Sequence, residues 1–182
     1  MSESRTDRHF NADEIQIINQ AVTMAEELVS NHFKMSASQW LRPKYDVKTL
    51  MDLSPEEQVD GPFAQIIRYE GQRKGSTLGS EVYDFYKICL QDPAILKALR
   101  SSRELTPLPF GLYIIIHELV HIVRFSKFLQ NFHASRGEKL IEEHRVHEIT
   151  RQILIPIRLP GVDAVIDYYH RWQLPIESLS DQ

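Results

Sequence analysis

Residues 110–123, FGLYIIIHELVHIV, constrain the fold more than any other stretch of the chain. The run is shorter than the ~20 residues that a bilayer span takes, and its centre carries His117, Glu118 and His121. At about 100° per residue, a helix puts Leu112, Ile116, Leu119, Val120 and Val123 on one side. Ile114, Phe125, Phe128 and Phe132 fall on the other. A helix that is apolar all round is buried. The rest of the chain therefore has to wrap around this one, and three ionisable groups inside it have no water-facing side.

His117 and His121 stand one turn apart, and with Glu118 they share an arc of about 100°. Two imidazole nitrogens so placed can share one ion at about 2.0–2.1 Å. A glutamate between them can take a proton from water bound to that ion. An unpaired buried carboxylate costs on the order of several kcal/mol, so it must be neutralised, hydrogen-bonded or metal-bound. The bland alternative has each histidine donating to a backbone carbonyl and Glu118 protonated. A divalent cation satisfies all three groups at once.

A catalytic zinc takes about three protein ligands plus water. The next helical stretch, EKLIEEHRVHEITRQILI, offers Glu142, Glu143, His144, His147 and Glu148. On its wheel Val146, Ile149, Ile153 and Leu154 mark an apolar arc, with Glu142, Glu143 and His147 inside it or at its edge. His144, Arg145, Glu148 and Gln152 point to the polar side. Glu143 is thus the preferred third ligand, ahead of Glu142 and then His144. The bland reading of this helix is a solvated charge run.

HELVH followed by a glutamate on the next helix resembles the gluzincin branch of zinc metallopeptidases in minimal form, over roughly residues 110–150. Arg124 and Lys127 stand where the metzincin pattern has a glycine and a third histidine, which excludes that class. The resemblance implies a zincin-like domain, with an active-site helix and a glutamate helix beside a small sheet whose edge strand holds substrate. FAQIIRY (63–69) is the candidate strand, since an extended peptide can add to a sheet edge. It also implies an oxyanion donor downstream of the glutamate, for which DYYHRW supplies Tyr168, Tyr169 and His170; packing residues of a terminal helix are the competing reading. His147 departs from the pattern, which has an aspartate there to orient a ligand histidine. It is a partner of that kind, a fourth ligand or a substrate-binding group.

The remaining chain reads as α+β, mainly helical, with the sheet in the first half and a metal-binding helix pair at 110–155 in the second. At 182 residues, 42% of them hydrophobic, it suits a single domain with a real core. Residues 1–11 form a weakly tied arm. Helical spacing runs from Ala12 to Phe33, a short strand lies near 45–50, and 71–80 is turn-rich. Val82–Leu90 fits either a helix or a strand. Asp92-Pro93 reads as an N-cap and first helical residue, opening a helix to Ser101. The long helix covers 110–133, SRG (135–137) breaks it, and further helices span 138–155 and 162–172.

The net charge of −4 argues against a nucleic-acid reader. The polar N-terminus is no secretory signal, and no membrane span is expected. Cys89, the single cysteine, reads as an inert thiol in a reducing, cytoplasmic setting. The expected function is a zinc-dependent hydrolase acting on a peptide or protein. It takes one zinc per chain, or another divalent metal, with Glu118 as general base. Two rivals stand beside it. In a di-metal iron or manganese carboxylate protein, Glu118-x-x-His121 would serve one ion and Glu142, Glu143 and His147 a second. A zincin-like regulatory domain would keep its metal without catalysis.

Overall fold

A computed structural model describes residues 9–36, 38–39, 44–72, 82–127, 129 and 131–177. Residues 1–8 of the expected arm, the turn at 73–80, and Phe128 of the wheel lie outside them. The described elements run α1 (Ala12–Phe33), β1 (Lys44–Lys48), β2 (Ala64–Gln72), β3 (Val82–Leu90), α2 (Asp92–Ser101), α3 (Pro107–Ser126), α4 (Arg136–Leu154) and α5 (Val162–Glu177). The fold is mixed α+β and mostly helical.

α3 is the axis of the core. Every residue from Pro109 to Arg124 is buried except Glu118. The helix is long and apolar enough to cross a membrane, yet 83% of that apolar window is covered by the rest of the chain, as in a core helix. Pro107 and Pro109 sit in its first turn, where a missing N–H costs no helical bond. α1 covers one side with Ile18, Ala21, Ala25 and Val29, spaced at helical intervals. Gly111 permits the close approach: a Cβ there would stand 3.3 Å from Ile18 Cδ1. α4 and α5 also pack against α3.

α3 ends at Ser126, well short of the expected His133. The apolar period continues through Phe125 and Phe132, but the chain reverses between them, and their rings meet across the turn at 5.1 Å. The backbone N–H of Leu129 donates to Arg124 O (2.9 Å), closing that turn. α4 then starts at Arg136, two residues before expectation. Ser135 and Glu138 form a capping box, and Gly137 falls inside the first turn. α5 passes the expected end at Trp172 and reaches Glu177; Pro175 removes one N–H, and the helix stops two residues later.

β3 resolves the open helix-or-strand choice as a strand. It pairs antiparallel with β2 (Ala64 opposite Leu90, Arg68 opposite Tyr86) and parallel with β1 (Lys44 opposite Phe85). The order β1-β3-β2 leaves β2 on an edge. Tyr86, Ile88 and Leu90 alternate into the core. On the other face Glu57 accepts from Lys87 Nζ (2.6 Å) and Tyr69 OH (2.8 Å), tying the 55–57 turn to the sheet.

The end of the N-terminal arm is not loose. Phe10 is buried, and its N–H donates to Asp92 Oδ2 at 2.8 Å; Leu50 N–H donates to Asp92 Oδ1 at 3.0 Å. Asp92 is therefore not the N-cap of α2. Gln91 holds that position, and the Asp92 carboxylate staples two distant segments.

Candidate metal centre

α3 and α4 bring three donors together. His117 Nε2 lies 3.1 Å from Glu143 Oε2, His121 Nε2 lies 2.9 Å from Glu143 Oε1, and the two Nε2 atoms are 3.2 Å apart. Three ligands on a tetrahedral ion with bonds of about 2.0–2.1 Å stand about 3.3 Å from one another. The two imidazole nitrogens stand nearly that far apart, and each lies within 3.1 Å of a different oxygen of the one carboxylate. Two imidazole nitrogens aimed at each other repel unless a proton or a cation lies between them, and a divalent ion satisfies both along with the carboxylate. The residues present therefore fit a metal, and His117, Glu143 and His147 likewise form a group close enough to hold one.

The burial is uneven in a useful way. His117 and His121 are 8% and 5% exposed, while the Glu143 side chain is 49% exposed at the mouth. Burial pushes the Glu143 carboxyl up, but hydrogen bonds from His117 and His121 outweigh it and hold the group well below the usual carboxylate range. Glu118 is half-buried and lines the same cleft. Burial raises its carboxyl above the ordinary value against the pull of His117 and His121. It has no hydrogen-bond partner among the described residues, so its lone pairs face the cleft unused.

Glu142, the second choice for a ligand, is taken. It is buried in an ion pair with Arg124, whose Nη2 lies 3.3 Å from Oε2, and Arg145 joins at 3.1 Å. That commitment removes one carboxylate from any second ion. His144, the third choice, is exposed.

His147 faces the centre. Its Nε2 is 4.0 Å from Glu143 Oε2, and its ring centroid is 4.2 Å from that of His117. Its Nδ1 is 2.8 Å from Tyr113 OH. Burial and then the His117 charge lower its pKa to about 3, so the ring is neutral. Tyr113 is a site residue that the motif did not flag. The signal was present, since Tyr113 precedes His117 by one turn on the same stripe of α3. His117 Nδ1 is buried without a partner among the described residues, so this ring is held by packing against His121 and His147.

Of the three residues read from DYYHRW, Tyr169 lines the cleft and stacks on Tyr113 at 3.9 Å. His170 is exposed. Tyr168 packs on Phe110 and lines a separate cavity of about 900 Å³ that shares only Phe63 with the cleft. Neither His170 nor Tyr168 sits where an oxyanion donor to this centre would have to be. One helical step, about 100°, decides which of three adjacent residues points inward.

The cleft itself holds about 560 Å³. Phe63, Ala64, Gln65 and Ile66, at the start of edge strand β2, form one wall, and Ile114, Phe125, Phe132 and Tyr169 supply apolar surface around the donors. No protein-family model, curated protein or solved structure matches the chain.

Proposed function

We propose that this protein is a zinc-dependent hydrolase of zincin type, acting on peptide bonds in a reducing compartment such as the cytoplasm. The observation that carries the reading is the convergence of His117, His121 and Glu143 in an open cleft, beside Glu118, which has no hydrogen-bond partner among the described residues. These three residues would hold the ion. When bound, it would supply a Lewis acid to polarise a water molecule and a carbonyl. Glu118 would accept a proton from water in the cleft; its raised pKa brings it nearer the operating pH of a general base. Peptide as the substrate class rests on β2, whose free edge borders the cleft and can pair with an extended chain through main-chain bonds. The buried Cys89 thiol, pushed up to about 11 by burial, takes no part in the chemistry.

Zinc-loaded wild type and Glu118→Gln, assayed on a denatured protein substrate, test the reading. The variant should bind zinc as wild type does and lose about 10²–10⁴-fold in turnover. Full turnover by Glu118→Gln would eliminate the assigned chemistry.

A further inference from the structure

The unassigned histidine of the cleft has a role fixed by its neighbour. Tyr113 is 2% exposed, and its hydroxyl has one hydrogen-bond partner among the described residues, His147 Nδ1 at 2.8 Å. A buried hydroxyl proton with no acceptor is costly, so that proton goes to Nδ1. Nδ1 is then an acceptor and the imidazole keeps its one proton on Nε2. Tyr169 stacks on Tyr113 at 3.9 Å and its ring lies 5.3 Å from that of His147, so both members of the pair pack against one aromatic neighbour.

We infer that His147 is a hydrogen-bond donor into the cleft, not a fourth metal ligand, and that Tyr113 is the positioning residue that sets its tautomer. An ion on Nε2 would displace that proton to Nδ1 and so cost the buried Tyr113 hydroxyl its acceptor. Nε2 lies beside the His117 ring, 4.0 Å from Glu143 Oε2. From there it can bond an oxygen atom bound in the cleft, such as a carbonyl oxygen gaining negative charge. This assignment rests on the hydrolase reading for its purpose, but its geometry concerns only this chain's own residues. It gives His147 the duty expected of Tyr168, Tyr169 or His170, of which Tyr169 alone lines the cleft and is stacked on Tyr113. It would also leave the holding of an ion to His117, His121 and Glu143.

Imidazole-¹⁵N NMR on the full chain, without metal and then with zinc alone, reads the tautomer directly. The expected result is a proton on Nε2 and an acceptor shift on Nδ1 in both samples, with the preference lost in Tyr113→Phe. A proton on Nδ1, or loss of the Nε2 proton when zinc is added, would overturn the inference and make His147 a ligand. Zinc stoichiometry should stay at wild-type level in His147→Leu and His147→Gln. On a peptide that wild type cleaves, kcat should fall about 10²–10³-fold in His147→Leu with KM nearly unchanged. His147→Gln, which keeps an N–H donor, should recover part of that loss; equal turnover in wild type and His147→Leu would refute the donor role. Wild type that binds no zinc would sink the hydrolase reading while leaving the tautomer assignment to the spectra.

Discussion

On α4, Glu142 turns into the guanidinium of Arg124, while Glu143, the next residue, turns into two imidazoles. A wheel of the sequence places both near the buried arc, and about 100° separates them. It can say which face a residue takes, but not which partner waits there. In the sequence Arg124 breaks the metzincin pattern; in the fold its charge sits 8% exposed and answers the buried charge of Glu142. Removing one member of such a pair strands the other. Glu142→Gln should therefore lower unfolding stability by about 3–5 kcal/mol in urea denaturation, with zinc binding intact. A loss below about 0.5 kcal/mol would mean that the pair contributes no more than an exposed one.

At the scale of elements, the HELVH helix was legible because an all-round apolar run admits one fate, burial. Its end was not. Phe125 and Phe132 keep the helical period across a reversal, so periodicity alone overruns the turn that Arg124 and Leu129 close. β3 stayed ambiguous for the opposite reason: its alternation of Tyr86, Ile88 and Leu90 becomes decisive only once partners on both sides are known. Two junctions make testable claims. Gly161, before α5, has φ +94°, and a Cβ there would stand 2.7 Å from Thr106 Oγ1. Gly161→Ala should cost about 1–3 kcal/mol, seen as a lower Tm; an unchanged Tm would show that the junction relaxes freely.

The turn at Glu57 makes a pH claim. Bonds from Lys87 Nζ, Ser54 N–H and Tyr69 OH hold Glu57 at about 2, below its ordinary 4.5. A carboxylate depressed on folding contributes stability that is complete above pH 4.5 and is lost as pH falls toward 2. The stability gap between wild type and Glu57→Gln should be wide at pH 7 and narrow at pH 3. A gap independent of pH would remove Glu57 from the acid limb.

For the whole molecule, a mainly helical α+β fold could be read from the order of patterns, with helices at both ends of the chain and the strands between them in the first half. The arrangement that matters for chemistry could not: β2 at the sheet edge, its start beside the donors of α3 and α4, is a product of strand order. The same wrapping that buries α3 presses His117 and His121 against Glu143. An ion bound there should stabilise the fold by mass action, about 2.7 kcal/mol at a hundredfold excess over Kd, in wild type and Glu118→Gln alike. Glu118 would thus separate chemistry from binding, and Glu143 would join them.

Zinc stoichiometry by equilibrium dialysis of wild type, Glu142→Gln and Glu143→Gln is the most direct test. The expected result is one ion per chain in wild type and Glu142→Gln, and a loss of binding in Glu143→Gln. Full zinc in Glu143→Gln, or none in wild type, would contradict a centre built from His117, His121 and Glu143.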